Sequence, residues 1–335
     1  MFPSTKATDR AGSPGIDVWH GDPQRFGHLG KVQPWVNVLG RMWSPDSTIY
    51  TGAFQCNDGP FTPLVLGPSA YRLRSPGDFN AEIPVEQLRV GANVVKLWAS
   101  DEAGRTTLRE VSLEYGGSES WPLPYRTCWD DPGGVQSVAQ VIDGRWECVS
   151  GGVRPVTMAY DRLVAIGDMT WNNYEVTVPI TIHGYEEMPA IFSWPSYGPA
   201  IGLLIGWQGH SDWKDMVPKR GYYPFGTIAI HRWKKEGPMR KELWAGVRSD
   251  LIAVEDPATA RNPELECRYH YKVRSQAQAG QRNYYGFKVW PAHEKEPETW
   301  DLEGEGAEGG LNEGGILLLA HHTDATFGEV VVSPL

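Results

Sequence analysis

An all-β fold in two sandwich domains is the class this sequence predicts, and three observations carry it. Glycine (38) and proline (26) punctuate the 335 residues at short intervals, and these are the residues that form turns and end strands. Between them, β-branched and aromatic residues fall in short runs of alternating polarity, the period of two that a half-buried strand requires. No long stretch shows the apolar spacing of three and four that marks a helix. The length exceeds what one β-sandwich usually needs, so two domains follow.

Residues 1–15, MFPSTKATDRAGSPG, carry no apolar segment and read as a flexible arm rather than a signal peptide. The location expected by default is cytoplasmic, or extracellular if a leader has been trimmed. The first domain spans 16–116. It opens at IDVWHGD and has its first clear strand in VQPWVNVLGRMW, Val32 to Trp43. Asn57-Asp58-Gly59 suits a hairpin turn. Val94, Lys96, Trp98 and Ser100 then alternate with Val95, Leu97 and Ala99, and Val111, Leu113 and Tyr115 mark the last strand. The pattern "L..G.N.V.L.A.D..G…V.L.Y" resembles the closing strands of bacterial immunoglobulin-like domains, which implies an immunoglobulin-like sandwich here.

Residues 117–124 are small, polar and Pro-containing and read as a linker. The second domain, 125–335, is organised around NYYGFKVWPAHEKEPETWD, Asn283 to Asp301, which holds a strand, a Pro-bounded turn and a closing tryptophan. In a second long strand Tyr174, Val176, Val178, Ile180 and Ile182 share one face, with Glu175, Thr177, Thr181 and His183 on the other. The Trp290-Pro291, Glu296-Pro297, Trp300 punctuation, with the "W..Y.V.V", "GWQG", "Y.YKVR" and "A.FGEVVV" strands in that order, resembles laminin-G-like, concanavalin A-type jelly rolls. That resemblance implies a jelly-roll β-sandwich of a superfamily that hosts lectins, enzymes and adhesion modules alike. It also admits a structural calcium ion held by a loop carboxylate, for which Asp324 is the candidate.

Charge and composition exclude several functions. The formal net charge is −10, with an acidic concentration between Glu303 and Glu313, so no basic patch is visible for nucleic acid. No run of about 18 apolar residues is present for a membrane span. Cys56, Cys128, Cys148 and Cys267 have no CxxC spacing and hence no zinc signature. Cys128 and Cys148 flank one short segment and are the candidates for a disulfide, the alternative being four thiols. His20 and His28 lack partners at ligand spacing. His321 and His322 are expected on opposite faces of a strand, one buried and one exposed.

Three chemistries remain. For a glycoside hydrolase, Glu294, Glu296 and Glu298 give E-x-E-x-E, but Pro297 interrupts the run, so these read as solvated loop carboxylates. Resemblance to the polysaccharide lyases among these jelly rolls would place His231 on a polar face, with Arg248 neutralising a uronate and Tyr284 moving the proton. His270 and Lys272 are further candidates, and Ala229 stands where that family has Gln. The third chemistry is aromatic. Fifteen tryptophans are unusually many, and indole and phenol rings stack on sugar C–H faces.

Some of these rings fall in the loops around SWPSYGPA and GWQGHSDWKDMVPKRGYYPFG, among them Trp194, Trp213, Tyr197, Tyr222 and Tyr223; Trp171, Trp207, Trp290 and Trp300 are the expected core fillers. The expected function is recognition of a carbohydrate or glycoconjugate through Gln208, His210, Trp213, Tyr222, Tyr223, His231, Trp233, Trp244 and Arg248. The first domain would serve as spacer or docking module. A polysaccharide-active enzyme and a structural subunit of an assembly are the alternatives, and the oligomeric state stays open.

Overall fold

The computed structural model describes residues 12–69, 71–117, 121–186, 198–234, 237–246, 250–278, 282–311 and 313–335. Among the described residues the regular structure is almost wholly strand, in four sheets, with one turn of α-helix at Val135–Val138 and one of 3-10 helix at Val85–Gln87. No described helix is long and apolar enough to cross a membrane.

The first eight strands are β1 (Gly15–Val18), β2 (Gln24–Phe26), β3 (Trp35–Trp43), β4 (Ile49–Cys56), β5 (Thr62–Leu64), β6 (Asp78–Pro84), β7 (Gly91–Asp101) and β8 (Thr106–Tyr115). They form a sheet β1-β3-β6 and a sheet β2-β8-β7-β4-β5, in which β2 runs parallel to β8. Val36, Val38, Phe79, Ala81 and Ile83 meet Val95, Leu97, Ala99, Val111 and Leu113 in a closed core. The Asn57–Gly59 turn joins β4 to β5 as the sequence predicts, with Asn57 at φ 50°. Gly77 turns the chain before β6 at φ 80°, and a Cβ there would overlap the Met42 carbonyl oxygen. Gly77→Ala is therefore expected to cost at least about 2 kcal/mol, visible as a lower thermal midpoint.

The remaining strands are β9 (Tyr125–Arg126), β10 (Gln140–Asp143), β11 (Trp146–Val149), β12 (Gly152–Pro155), β13 (Arg162–Ile166), β14 (Tyr174–Tyr185), β15 (Ala200–Trp207), β16 (Phe225–Arg232), β17 (Arg240–Gly246), β18 (Asp250–Val254), β19 (Arg268–Gln278), β20 (Arg282–Pro291), β21 (Leu302–Glu305), β22 (Gly315–His321), β23 (Thr323–Phe327) and β24 (Val331–Pro334). One sheet runs β10-β13-β22-β15-β16-β17-β18, and the other runs β11-β12-β23-β14-β19-β20-β21 with β24 beside β14 and β9. Strand β14 alternates buried and half-buried as its sequence predicts. Burying Val176, Val178, Ile180 and Ile182 stabilises the sandwich by about 1.5–3 kcal/mol each.

The seven-stranded sheet is covered on both sides. Register puts His231 with Ile201 and Ala320 on the inner face, and Ile230 with Gly202 and Leu319 on the outer one. Even so, the outer-face Leu204, Leu317, Leu319 and Ile230 are all buried. Part of the cover is the first sandwich. Strand β3 turns Leu39 out of its own core and into that of the second, and Asn80 beside it donates to the Ile142 carbonyl at 3.0 Å. His20 and His28 likewise reach across, to Gly144 O at 3.3 Å and Ser137 O at 3.1 Å.

The packing bears on several expectations, meeting those for Trp171, Trp207 and the Glu296 loop and departing from those for Trp290 and Trp300. Trp121, within the expected linker, is buried and accepts a hydrogen bond at its carbonyl from Trp171 Nε1 at 2.7 Å. All four cysteines are free, including Cys128 and Cys148. Trp171 and Trp207 fill the core. Trp290 is buried instead on the outer face of the second sheet against His270, with ring centroids 5.1 Å apart, and Trp300 packs on Gly286 of the same face. Glu296 lies in the turn after β20 and pairs with Lys272 at 3.0 Å and Lys288 at 2.8 Å.

Candidate functional site

Where the two sandwiches meet, the contact is polar and buried. Arg72, in the loop before β6, is 3% exposed. Its guanidinium donates to Glu82 Oε1 at 2.8 Å, to the Asp143 carboxylate and to the Lys219 carbonyl. Arg162 Nη2 in turn donates to the Arg72 carbonyl at 2.8 Å. Gln33, Asn37 and Asn80 continue the network through side-chain bonds of 2.5 and 2.8 Å. Buried charges persist only where paired and hydrogen-bonded in this way.

Beside this seam a row of rings and titratable groups reaches the surface. At one end Tyr185, 43% exposed, lies against Trp233 with centroids 4.4 Å apart. The next residue, Glu186, accepts from His322 Nδ1 at 3.1 Å and from Arg74 of the first sandwich at 2.8 Å. His321 follows, 4.7 Å from the His322 ring. Its Nδ1 donates to Asp161 Oδ1 at 2.7 Å, while the Tyr222 hydroxyl donates to Asp161 Oδ2 at 2.5 Å. Tyr160 packs edge-on to His321 at 5.0 Å and to Tyr71 at 5.2 Å. Arg220 then lies over Tyr71 at 3.5 Å and over Trp213 at 4.3 Å, and Lys214 covers Trp213 at 4.4 Å.

The electrostatics order this row. Burial opposes ionisation of Asp161, but the His321 ring, the Tyr222 hydroxyl and the Arg162 charge outweigh it and hold the carboxyl below its usual range. Burial and the Asp161 charge push the Tyr222 phenol well above its usual value, so it stays a donor. Burial, then the neighbouring His321, lowers His322. With Nδ1 of His321 committed to Asp161, Nε2 is buried with no hydrogen-bond partner among the described residues.

Of the residues expected from sequence, the structure brings His210, Trp213, Tyr222 and Trp233 to this row. His210 is buried under Tyr222 at 4.9 Å, and burial together with the Arg72 charge lowers it well below its usual value. Gln208 is used structurally, donating to the carbonyls of Met169 and Glu313 at 3.3 and 3.2 Å. Tyr223 is 39% exposed with its ring against Phe225. Trp244 sits on the outer face of β17 and donates to Glu242 Oε2 at 3.0 Å. Arg248 lies outside the described residues.

His231 is not on a polar surface. It is 4% exposed, between the sheets, with Nδ1 3.3 Å from the Tyr271 hydroxyl. Tyr284, bonded to Glu303, faces outward on the opposite sheet, as do His270 and Lys272, since Tyr271, Val273, Tyr285 and Phe287 take the inner positions. The expected lyase constellation therefore does not assemble around His231. The histidine pair also departs from expectation. His322 has φ 50°, which ends the strand alternation and leaves both rings buried side by side.

Tyr71, Tyr160, Asp161, Tyr185 and Arg220 escaped the sequence reading as site residues; a Tyr-Asp pair just before a strand was the one local hint. The Asp324 carboxylate receives two hydrogen bonds from Arg154, at 2.6 and 2.5 Å, so it does not fit a calcium ligand without giving up that pair. Among the described residues no cluster of three or more His, Cys, Asp or Glu is placed to hold a metal.

Neither a protein-family model nor a curated protein sequence matches the chain. Solved structures do. The exoplasmic/lumenal domain of VIP36 in its Ca2+-bound form is 13% identical at a TM-score of 0.38, over 59% of this chain and 84% of that one. A Bacillus subtilis protein of unknown function with a galectin-like fold is 14% identical at 0.40, over 62% and 94%. An alginate lyase, Aly36B, in complex with alginate trisaccharide is 12% identical at 0.36, over 65% and 97%. These TM-scores are low, and the fold and site assignments rest on this chain's own strands and side chains.

Proposed function

We propose that the protein recognises a carbohydrate or glycoconjugate along the row from Trp233 to Lys214. One observation carries the reading. Exposed Tyr185 and Trp213 and half-buried Tyr71 and Tyr160 lie along the seam with oriented polar groups between them, where Tyr71 and Arg74 from the first sandwich meet Tyr160, Glu186 and Arg220 from the second. Sugars need that mixture, because a C–H face packs on a ring while the hydroxyls demand directed donors and acceptors. The first sandwich is then part of the binding surface rather than a spacer. Its sheet order, β1-β3-β6 against β2-β8-β7-β4-β5, supports reading it as immunoglobulin-like. The two large antiparallel sheets of the second support a concanavalin A-like jelly roll. The separation of His231 from Tyr284 favours binding over β-elimination at those residues.

The test is a panel of oligosaccharides titrated against intrinsic tryptophan fluorescence and calorimetry. Tyr185→Ala and Trp213→Ala are each expected to weaken the bound glycan about 10-fold, or ~1.4 kcal/mol. Trp43→Ala, a 42% exposed ring on the first sandwich, should leave affinity unchanged. A panel without any binder, or two ring variants with unaltered affinity, overturns the proposal.

A further inference from the structure

The geometry points to an anionic saccharide as the ligand of this row, its acid group held by Arg220 and Lys214; this rests on the glycan reading above. Several cations stand without a carboxylate partner among the described residues. Arg220 and Lys214 are two such cations, and both sit on the Trp213 ring. Neither forms an ion pair among the described residues. Asp212 pairs instead with Lys219 at 3.7 Å, and Asp215 pairs with neither.

Arg220 is held between rings, over Tyr71 and Trp213, and its Nη1 is a buried donor with no hydrogen-bond partner among the described residues. Leaving such a donor unmet costs on the order of 1–3 kcal/mol, which an arriving anion recovers. A planar guanidinium stacked on aromatic rings still presents its edge to a carboxylate or sulfate. A neutral sugar has a poorer offer, since Trp213 already carries a cation from each of two side chains. Farther along the row, the exposed Tyr185 face is left for a sugar ring.

The shared chemistry is an acid group on a sugar, and two sources exist, a uronate carboxylate or a sulfate ester. The probes are therefore an oligogalacturonate, a sulfated galactan oligosaccharide and a neutral galactan oligosaccharide of equal length, each titrated into the full chain. One or both acidic probes are expected to bind at least 10-fold tighter than the neutral one, with affinity falling as NaCl rises from 50 to 500 mM. Arg220→Gln should remove most of that preference. Lys214→Gln, at an exposed position where folding is not at stake, should reduce it several-fold.

Binding confined to one acidic probe supports the inference and identifies the source. Equal binding of all three probes, unchanged in both variants, overturns the acid preference and leaves glycan recognition standing. Binding of none overturns both.

Discussion

Arg72→Met should be among the most damaging single substitutions in the chain, lowering stability by about 3–5 kcal/mol. The guanidinium compensates two carboxylates whose side chains are 1% and 7% exposed, Asp143 and Glu82. Methionine fills much of the volume but none of the charge, and the two acids lose the cation they share, leaving Glu82 with Lys219 at 3.6 Å and Asp143 with the Arg162 charge. Burial pushes Asp143 up to about 6 even with Arg72 and Arg162 beside it, so it is mostly ionised at pH 7 and must lose that charge or keep it without its nearest cation. Because Arg72 belongs to the first sandwich and Asp143 to the second, the substitution should also split one thermal transition into two. Calorimetry reads both effects. The double variant Arg72→Met/Asp143→Leu should regain part of the loss, as apolar replacements of buried pairs do. A loss below about 1 kcal/mol would mean that water reaches the seam and that the two sandwiches are not closed on each other.

The strands were legible because their alternation is local. Tyr174 to Ile182 and Val95 to Ala99 announce their buried faces residue by residue, and Asn57-Asp58-Gly59 announces its turn. What the alternation could not say is which face of the seven-stranded sheet is the core. Strands β15 and β22 are buried at every position, as expected of a sheet covered on both sides, so Ile228 and Ile230 looked like the core side of β16 and His231 like its polar side. The packing reverses that assignment. The polar seam was illegible for a different reason. Arg72 and Asp143 are 71 residues apart, and nothing in either neighbourhood distinguishes a buried pair from two solvated charges. The His321-His322 cluster depends on one left-handed residue, His322 at φ 50°, a conformation uncommon outside glycine and one that no flanking glycine signalled.

The second large effect is acid lability. Burial drops His231 from 6.5 to about 3. Burial likewise drops His20 from 6.5 to about 4, with the Gly144 carbonyl opposing it and the Arg145 charge adding to it. His210 also lies well below 6.5 through burial and the Arg72 charge. In the unfolded chain each imidazole takes up a proton as pH falls through 6.5, whereas in the folded chain His20 waits until about 4 and His231 until about 3, and His210 too is held well below 6.5. The unfolded state therefore binds more protons, and stability falls as pH falls, by about 1.4 kcal/mol per unit for each group.

At pH 5 the loss is about 2 kcal/mol each for His20 and His231, roughly 4 for the two, and His210 acts in the same direction. Asp143 works the other way, because its raised folded value lets the native state take a proton first, but between pH 7 and 5 that returns only about 1.4 kcal/mol. The histidines win. Urea denaturation at pH 7, 6 and 5 should show stability falling steadily, and His231→Leu, an apolar side chain facing Tyr271, should flatten the slope by close to one proton. Constant stability from pH 7 to 5, or an unchanged slope in the variant, would mean that these imidazoles are hydrated and that the inner face of β16 is open to water.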